Sequence, residues 1–297
     1  MPDEDDDFER HIGPLRDALA ELLEASERLR LQWGSMPNAE STAMAELAEE
    51  HRFRGNPTWG ETPVTTAHNL AELQLYGASD CAQAAVDLLK PDMRTPVYSH
   101  TVLARATLEH AGRAWWLLDP TIGVRLRIAR AATEHIFSLS QQMPLLDKAR
   151  RGEARVKRAA LLDEAERLGF QKVQASPRVP PSLEEERPGQ TKLVKALFGD
   201  VESGGVTYGF FSAVAHATTF GLSSSVTLDA PNMPKTPGVI WGAVYTGSHH
   251  VVTVLSAMFL GMGEAFKRRN ELFGWRSDAW DAAWLRGLDV GKQSLPS

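Results

Sequence analysis

Ser203-Gly-Gly-Val-Thr-Tyr208-Gly-Phe-Phe-Ser212-Ala-Val-Ala-His216-Ala-Thr-Thr-Phe220 opens a stretch that ends His249-His250-Val-Val-Thr-Val-Leu255-Ser-Ala-Met-Phe-Leu260-Gly-Met-Gly263; its only formal charges are Asp229 and Lys235. In a chain that is 24% charged, such a block is either the centre of a packed core or a segment that enters a membrane. Val239 to Gly263 is long enough to span a bilayer, and Lys267, Arg268 and Arg269 follow it as a basic flank would. Gly242, Gly247, Ser248, His249 and His250 fall in its middle, however, and imidazoles are costly in lipid. The segment therefore reads as a central helix of a bundle without membrane contact, burying Val251, Val252, Leu255, Phe259 and Leu260. Its remaining polarity, in Tyr208, Ser212, His216, Thr219, His249 and His250, needs partners once enclosed.

Working outward, the 297 residues suffice for one large or two modest domains. Leu, Ala, Glu and Arg dominate, and Pro and Gly sit between periodic segments, which favours helix. The single Cys81 excludes an intramolecular disulfide, and the first thirty residues lack a charged start followed by an apolar run. Both features suggest a cytoplasmic protein. Much of the net charge of −6 comes from Asp3, Glu4, Asp5, Asp6 and Asp7, so residues 1–12 read as a disordered acidic tail and 13–297 as a single helical domain. One local cluster of the opposite sign, Lys148, Arg150, Arg151, Arg155, Lys157 and Arg158, is interrupted only by Glu153. It is either a solvated helix junction or a place to hold a polyanion.

Helix signals come in series. Pro14 opens a run to about Gln32, and Ser41 or Thr42 caps a shorter one ending near Arg54. A long segment from Val64 to Leu89 stops at Pro91; Pro96 starts a helix reaching Leu118. Thr121 caps the next, broken near Pro144. Residues 153–168 form an amphipathic helix closed by Gly169. The proline-rich stretch from 176 to 189 reads as an exposed mobile loop. Helices follow near Thr191 to Phe198, from Ser203 to Gly221, from Tyr245 to Phe273 and from Asp278 to Arg286. Leu222 to Leu228 and Gly238 to Val244 could pair as a small β-hairpin. The expected fold is all-α, a bundle of about eight helices with one possible hairpin near 222–244. Residues 13–92 would supply N-terminal helices, and 93–175 with 190–290 the core.

Three helices each carry a single polar stripe. Arg105, Glu109 and Arg113 lie a turn apart on a helix whose other faces are largely apolar. Arg127, Arg130, Glu134, Ser138 and Gln141 share one arc of the next, and Tyr208, Ser212, His216 and Thr219 share one arc of a third. Each stripe could be a surface ladder or a buried satisfied network. If the stripes converge, they enclose guanidiniums, carboxylates and an imidazole suited to an anionic ligand. His216, Arg105 and Glu109 are then the catalytic candidates, with Arg113, Arg127, Arg130, Glu134, Tyr208 and Ser212 as ligand-binding candidates. No metal or cofactor is expected. Glu109-His110 and Glu134-His135 are adjacent pairs pointing about 100° apart and cannot chelate together. A site built from His110, His135, His216 and His249 has no spacing to support it. Cys81 has no activating neighbour, and no zincin, nucleophile-elbow or phosphate-loop pattern occurs.

Arg105-Ala-Thr-Leu-Glu-His110-Ala-Gly-Arg-Ala-Trp-Trp, then Arg125, Arg127 and Arg130, then Ser212-Ala-Val-Ala-His216, resembles a group of uncharacterised bacterial helical proteins over about residues 95–285. Those proteins are distantly similar to the HEPN superfamily. The resemblance implies a homodimer, and RNA cleaved without metal through an Arg-x4–6-His pair, which Arg105 and His110 match in spacing. The family's polar residue after the Arg is replaced by Ala106. On a straight helix Arg105 and His110 lie about 140° apart, which places His110 among Leu103, Ala114 and Leu117. There a buried structural histidine is the expected reading. Three functions stay open: binding of a nucleotide, RNA or another anionic ligand; an enzyme acting on a small molecule with His216 as acid or base; and a non-catalytic regulatory or scaffold role.

Overall fold

A computed structural model describes residues 4–34, 36–90, 95–199, 202–224, 227–229 and 243–294. The described elements are helices α1 (Glu4–Gln32), α2 (Thr42–Ala48), α3 (Pro63–Leu88), α4 (Ser99–Leu117), α5 (Val124–Gln142), α6 (Lys148–Arg167), α7 (Gln190–Leu197), α8 (Glu202–Ala215), α9 (Thr219–Ser224), α10 (Ser248–Phe273) and α11 (Asp278–Ser294). Two 3-10 turns and two strand pairs, β1 (Lys172–Val173) with β2 (Ser182–Leu183) and β3 (Thr227–Asp229) with β4 (Ala243–Tyr245), complete them. The fold is all-α with small hairpins, and two of the eleven described helices, α8 and α9, are pieces of what the sequence suggests is one longer helix.

α4 is central. It packs against α3, α10, α7 and α8, while α10 also packs against α1. That arrangement accounts for the uncharged block: Val251, Val252, Leu255 and Phe259 are buried between these helices, and only Leu260 keeps 37% of its surface. Among the described residues no helix is long and apolar enough to cross a membrane. A second core, built from Trp59, Ile128, Ile136, Leu161, Phe170 and Leu183, joins α5, α6 and β2.

Local chemistry sets the boundaries. Ser41 Oγ accepts the Met44 N–H at 3.1 Å to start α2, and Pro63 begins α3 where no intrahelical N–H is needed. Gly274 ends α10 at φ 66°, a left-handed cap that an L side chain would strain. Close packing of α10 on α11 depends on another glycine: a Cβ at Gly263 would overlap the Trp284 ring, which stacks on Phe259 at 5.0 Å. Gly263→Val is therefore expected to cost about 1–3 kcal/mol by overpacking. An unchanged denaturation midpoint in that variant would mean that the α10/α11 contact is loose.

Four sequence expectations need correction. Residues 4–12 belong to α1 rather than to a disordered tail, and Ile12, 2% exposed, joins the main core. Pro14 lies inside that helix instead of opening it. The helix expected from Ser203 to Gly221 breaks in two, because Ala217 adopts φ 52° and the Thr218 N–H returns to the Ala213 carbonyl at 3.0 Å, closing α8. Gly221 makes the fold-back possible, since a Cβ there would run into the Ala213 backbone. Leu222 to Ser224 are consequently helical, and the hairpin pairs Thr227 with Tyr245 and Asp229 with Ala243. The hairpin's expected residues 225–226 and 238–242 lie outside the described residues.

The fourth correction concerns 176–189. Its first half is largely exposed, but Ser182 and Leu183 are buried and Pro181 to Pro188 form a strap held on α4 and α5. The Leu183 N–H donates to Thr133 Oγ1 at 2.9 Å.

Candidate functional site

The stripes of α4 and α5 do meet, and the strap is where they meet. Arg113 of α4 reaches Glu134 of α5 at 2.8 Å, and Glu134 also receives a forked pair of bonds from Arg187 of the strap at 2.8 and 2.9 Å. Arg130 of α5 donates to Glu185 at 2.7 Å, which accepts the Trp116 indole N–H at 3.1 Å as well. Arg125 pairs with Glu184 at 2.7 Å. Below them Arg127, 1% exposed, bonds both oxygens of Glu46 at 3.1 and 2.8 Å, and donates to the backbone carbonyls of Leu117 and Asp119. Glu46 also contacts His68 Nε2 at 2.9 Å. On the far side Arg268 of α10 lies 3.4 Å from Asp119 and stacks over Trp115 at 3.3 Å.

This is a closed lattice. Burial would raise the Glu46 carboxyl, but hydrogen bonds from His68 and Arg127 outweigh it and hold the group below the usual carboxylate range. Burial pushes Arg113 down to about 10 even with Glu134 beside it. An incoming anion would have to displace a carboxylate from a guanidinium that already has one, so the lattice is suited to tying α2, α3, α4, α5 and the strap together rather than to binding.

The other predicted residues separate. Arg105 pairs with Glu109 at 2.8 Å, and Tyr208 of α8 donates its hydroxyl to the same Glu109 oxygen at 2.7 Å. Burial and the neighbouring carboxylate push the Tyr208 phenol up to about 12. Ser212 follows Tyr208 on α8 but joins none of these bonds. His216 sits past the end of α8, exposed, in the turn that Ala217 makes. The expected convergence of Glu109, Arg130 and His216 is thus not supported by their contacts: Glu109 belongs to the Arg105/Tyr208 cluster, Arg130 to the strap lattice, and His216 contributes to neither.

His110 hydrogen-bonds Gln74 of α3 at 2.8 Å and packs on Gly77, where a Cβ would be 3.0 Å from its ring. Arg105 engages α8 while His110 engages α3, so the two do not address one phosphate. Among the described residues no group of three or more His, Cys, Asp or Glu could hold a metal.

Sequence reasoning missed Glu46, His68, Glu185, Arg187 and Arg268, which complete the lattice from tens of residues away. The only available signal was the Glu184-Glu185-Glu186-Arg187 charge cluster inside a supposed loop. It also missed an imidazole pair: His100 and His250 rings lie 5.2 Å apart, and His250 Nε2 is 2.8 Å from Thr101 Oγ1.

What remains open to solution is the first half of α6. Asp147 caps that helix through the Arg150 N–H at 2.9 Å, Arg151 turns to the Leu146 carbonyl, and Arg158 reaches Ser140 Oγ at 3.1 Å. Lys148, Arg155 and Lys157 are exposed, with no counter-ion among the described residues. His135 of α5 stands near Lys157 of α6; partial burial of its ring, and then that ammonium, lower its pKa. No family model, no curated protein and no solved structure matches this chain.

Proposed function

We propose that this chain binds the backbone of single-stranded RNA along the exposed cations of α6, as a binding protein rather than a nuclease. The observation that carries this reading is the placement of Lys148 and Arg155, exposed on one side of α6, with Lys157 on the opposite side. Lys148 is the first residue of α6, where a cation opposes the helix macrodipole, and neither it nor Arg155 has an ion-pair partner among the described residues. Lys148 and Arg155 share nearly one line along the helix, separated by about 10 Å of axis at 1.5 Å per residue. A phosphate beside Lys148 would also meet the positive field of the helix N-terminus.

Resemblance to HEPN-like proteins supports RNA as the polyanion. Cleavage is not part of the proposal, because Arg105 and His110 face different helices and exposed His216 has no acid or guanidinium paired to it. With about two phosphates neutralised, affinity should fall about sevenfold between 50 and 200 mM salt, from a slope of roughly −0.7 per contact. Fluorescence anisotropy with a labelled oligouridylate measures this. The Lys148→Glu/Arg155→Glu variant should lose binding and keep its helical circular dichroism. Undiminished binding by that variant, or salt-independent binding, would show that RNA does not use this face.

A further inference from the structure

A cleft of about 450 Å³ lies between α1, α3 and α10, away from the strap lattice and from α6. Its volume falls in the range of small-molecule sites. One wall is apolar, formed by Leu23, Leu75 and Phe266. Beside it sits Arg269, 2% exposed, whose guanidinium carbon lies 5.0 Å from both the Phe266 and the Trp275 ring centres.

That guanidinium is only partly engaged. Its Nη2 donates to Ser26 Oγ at 2.7 Å and more loosely to the Ser26 carbonyl at 3.4 Å, and Nε and Nη2 share Asn270 Oδ1 at 3.3 Å. Among the described residues Nη1 has no hydrogen-bond acceptor; its nearest carboxylate oxygen is Glu72 Oε2, 4.0 Å away. Glu72 in turn has a buried oxygen, Oε1, with no partner among the described residues. Burial pushes the Glu72 carboxyl up and the Arg269 guanidinium down, as for two charges that fail to compensate each other.

We infer that this cleft is a binding site for a small zwitterion, a free α-amino acid with an apolar side chain: its carboxylate bonds Arg269 Nη1, its ammonium bonds Glu72, and its side chain lies on Leu23, Leu75 and Phe266. Such a ligand satisfies both unpaired groups at once. A phosphate-like dianion would face Glu72, Glu27 and Asp80, and a simple cation would face Arg269 and Arg30, all of which line the same cleft. Arg30 is itself held by Glu27 through two bonds of 2.8 and 2.6 Å, so it screens the mouth rather than offering a second anion site.

The test is calorimetric titration of the intact protein with L-phenylalanine and L-leucine, alongside N-acetyl-L-phenylalanine, L-phenylalanine amide and orthophosphate. Saturable binding of the two free amino acids is expected, with a matching rise in melting temperature. The acetylated and amidated forms, each lacking one charge, should bind far more weakly. Glu72→Gln keeps the shape and removes the ammonium's counter-charge, so it should weaken phenylalanine binding roughly tenfold or more. Ser79→Trp should fill the cleft and abolish binding while leaving the circular dichroism unchanged. Absence of saturable binding with both amino acids overturns the assignment. So does equal affinity for the blocked derivatives, or tighter binding of orthophosphate than of either amino acid.

Discussion

Replacing Glu46 by alanine should destabilise the protein by about 3–5 kcal/mol, because it leaves a buried guanidinium without its counter-charge. Arg127 is 1% exposed and Glu46 5% exposed, so water cannot easily take over the lost bonds. The two carbonyls of Leu117 and Asp119 would remain as acceptors, which is too little for a full positive charge in that setting. For a chain of this size the melting temperature should drop on the order of 10 °C. A control distinguishes burial from charge count: Glu27→Ala breaks a bidentate pair with Arg30 at the edge of a cleft, where Glu27 is about half exposed, and should cost under about 1 kcal/mol. Replacing Glu46, His68 and Arg127 together by apolar residues of similar volume should recover much of the loss, since no charge is then stranded. If Glu46→Ala shifts stability no more than Glu27→Ala does, the lattice does not hold the fold.

The same residues show what a linear chain can and cannot reveal. Apolar spacing along α1, with Leu15, Leu19, Leu22 and Leu29 all buried, made that helix legible, and Pro63 and Gly169 mark real boundaries because their backbone chemistry acts locally. Ala217 did not reveal itself. A left-handed alanine costs about 1–2 kcal/mol and carries no local signal; it is imposed by the packing of α9 on α8 through Gly221. Because of that one residue, the stripe of Tyr208, Ser212 and His216 ends a turn early and His216 faces solvent. The polar arcs of α4 and α5 were readable as arcs, yet their partners were not: Arg127 meets a carboxylate 81 positions away and Arg187 one 53 positions away. Proline content made the strap look like a solvated loop. Its glutamates and arginine instead neutralise the stripes that the helices present, which is why an apparently open anion site is filled from within.

Lowering the pH from 6.5 to 4 should remove about 3 kcal/mol of stability through His100 alone, and His250 should add to the loss. His100 is fully buried, neither ring nitrogen has a well-formed hydrogen bond among the described residues, and its ring meets that of His250 at 5.2 Å. Burial, and secondarily the facing His250, lowers its pKa from 6.5 to about 4; the Pro96 carbonyl favours the charged form but only partly offsets this. Burial likewise lowers His250 to about 4. Between these limits the unfolded chain carries protons that the folded chain refuses. Stability is therefore complete above pH 6.5, falls as the pH drops through the window, and stops falling from this cause near pH 4. The shift from 6.5 to about 4 for His100 corresponds to the stated loss at about 1.4 kcal/mol per unit. Carboxylates such as Glu46, held below their ordinary range, begin to add their own loss as the pH falls through the ordinary carboxylate value of about 4.5 and go on doing so at lower pH. Urea denaturation at several pH values would separate the contributions: His100→Leu should flatten the slope between pH 6.5 and 4 while leaving the steeper acid limb in place. A slope identical to that of the unsubstituted protein would mean that His100 takes up its proton in the folded state, which requires water or a polar partner to reach the ring.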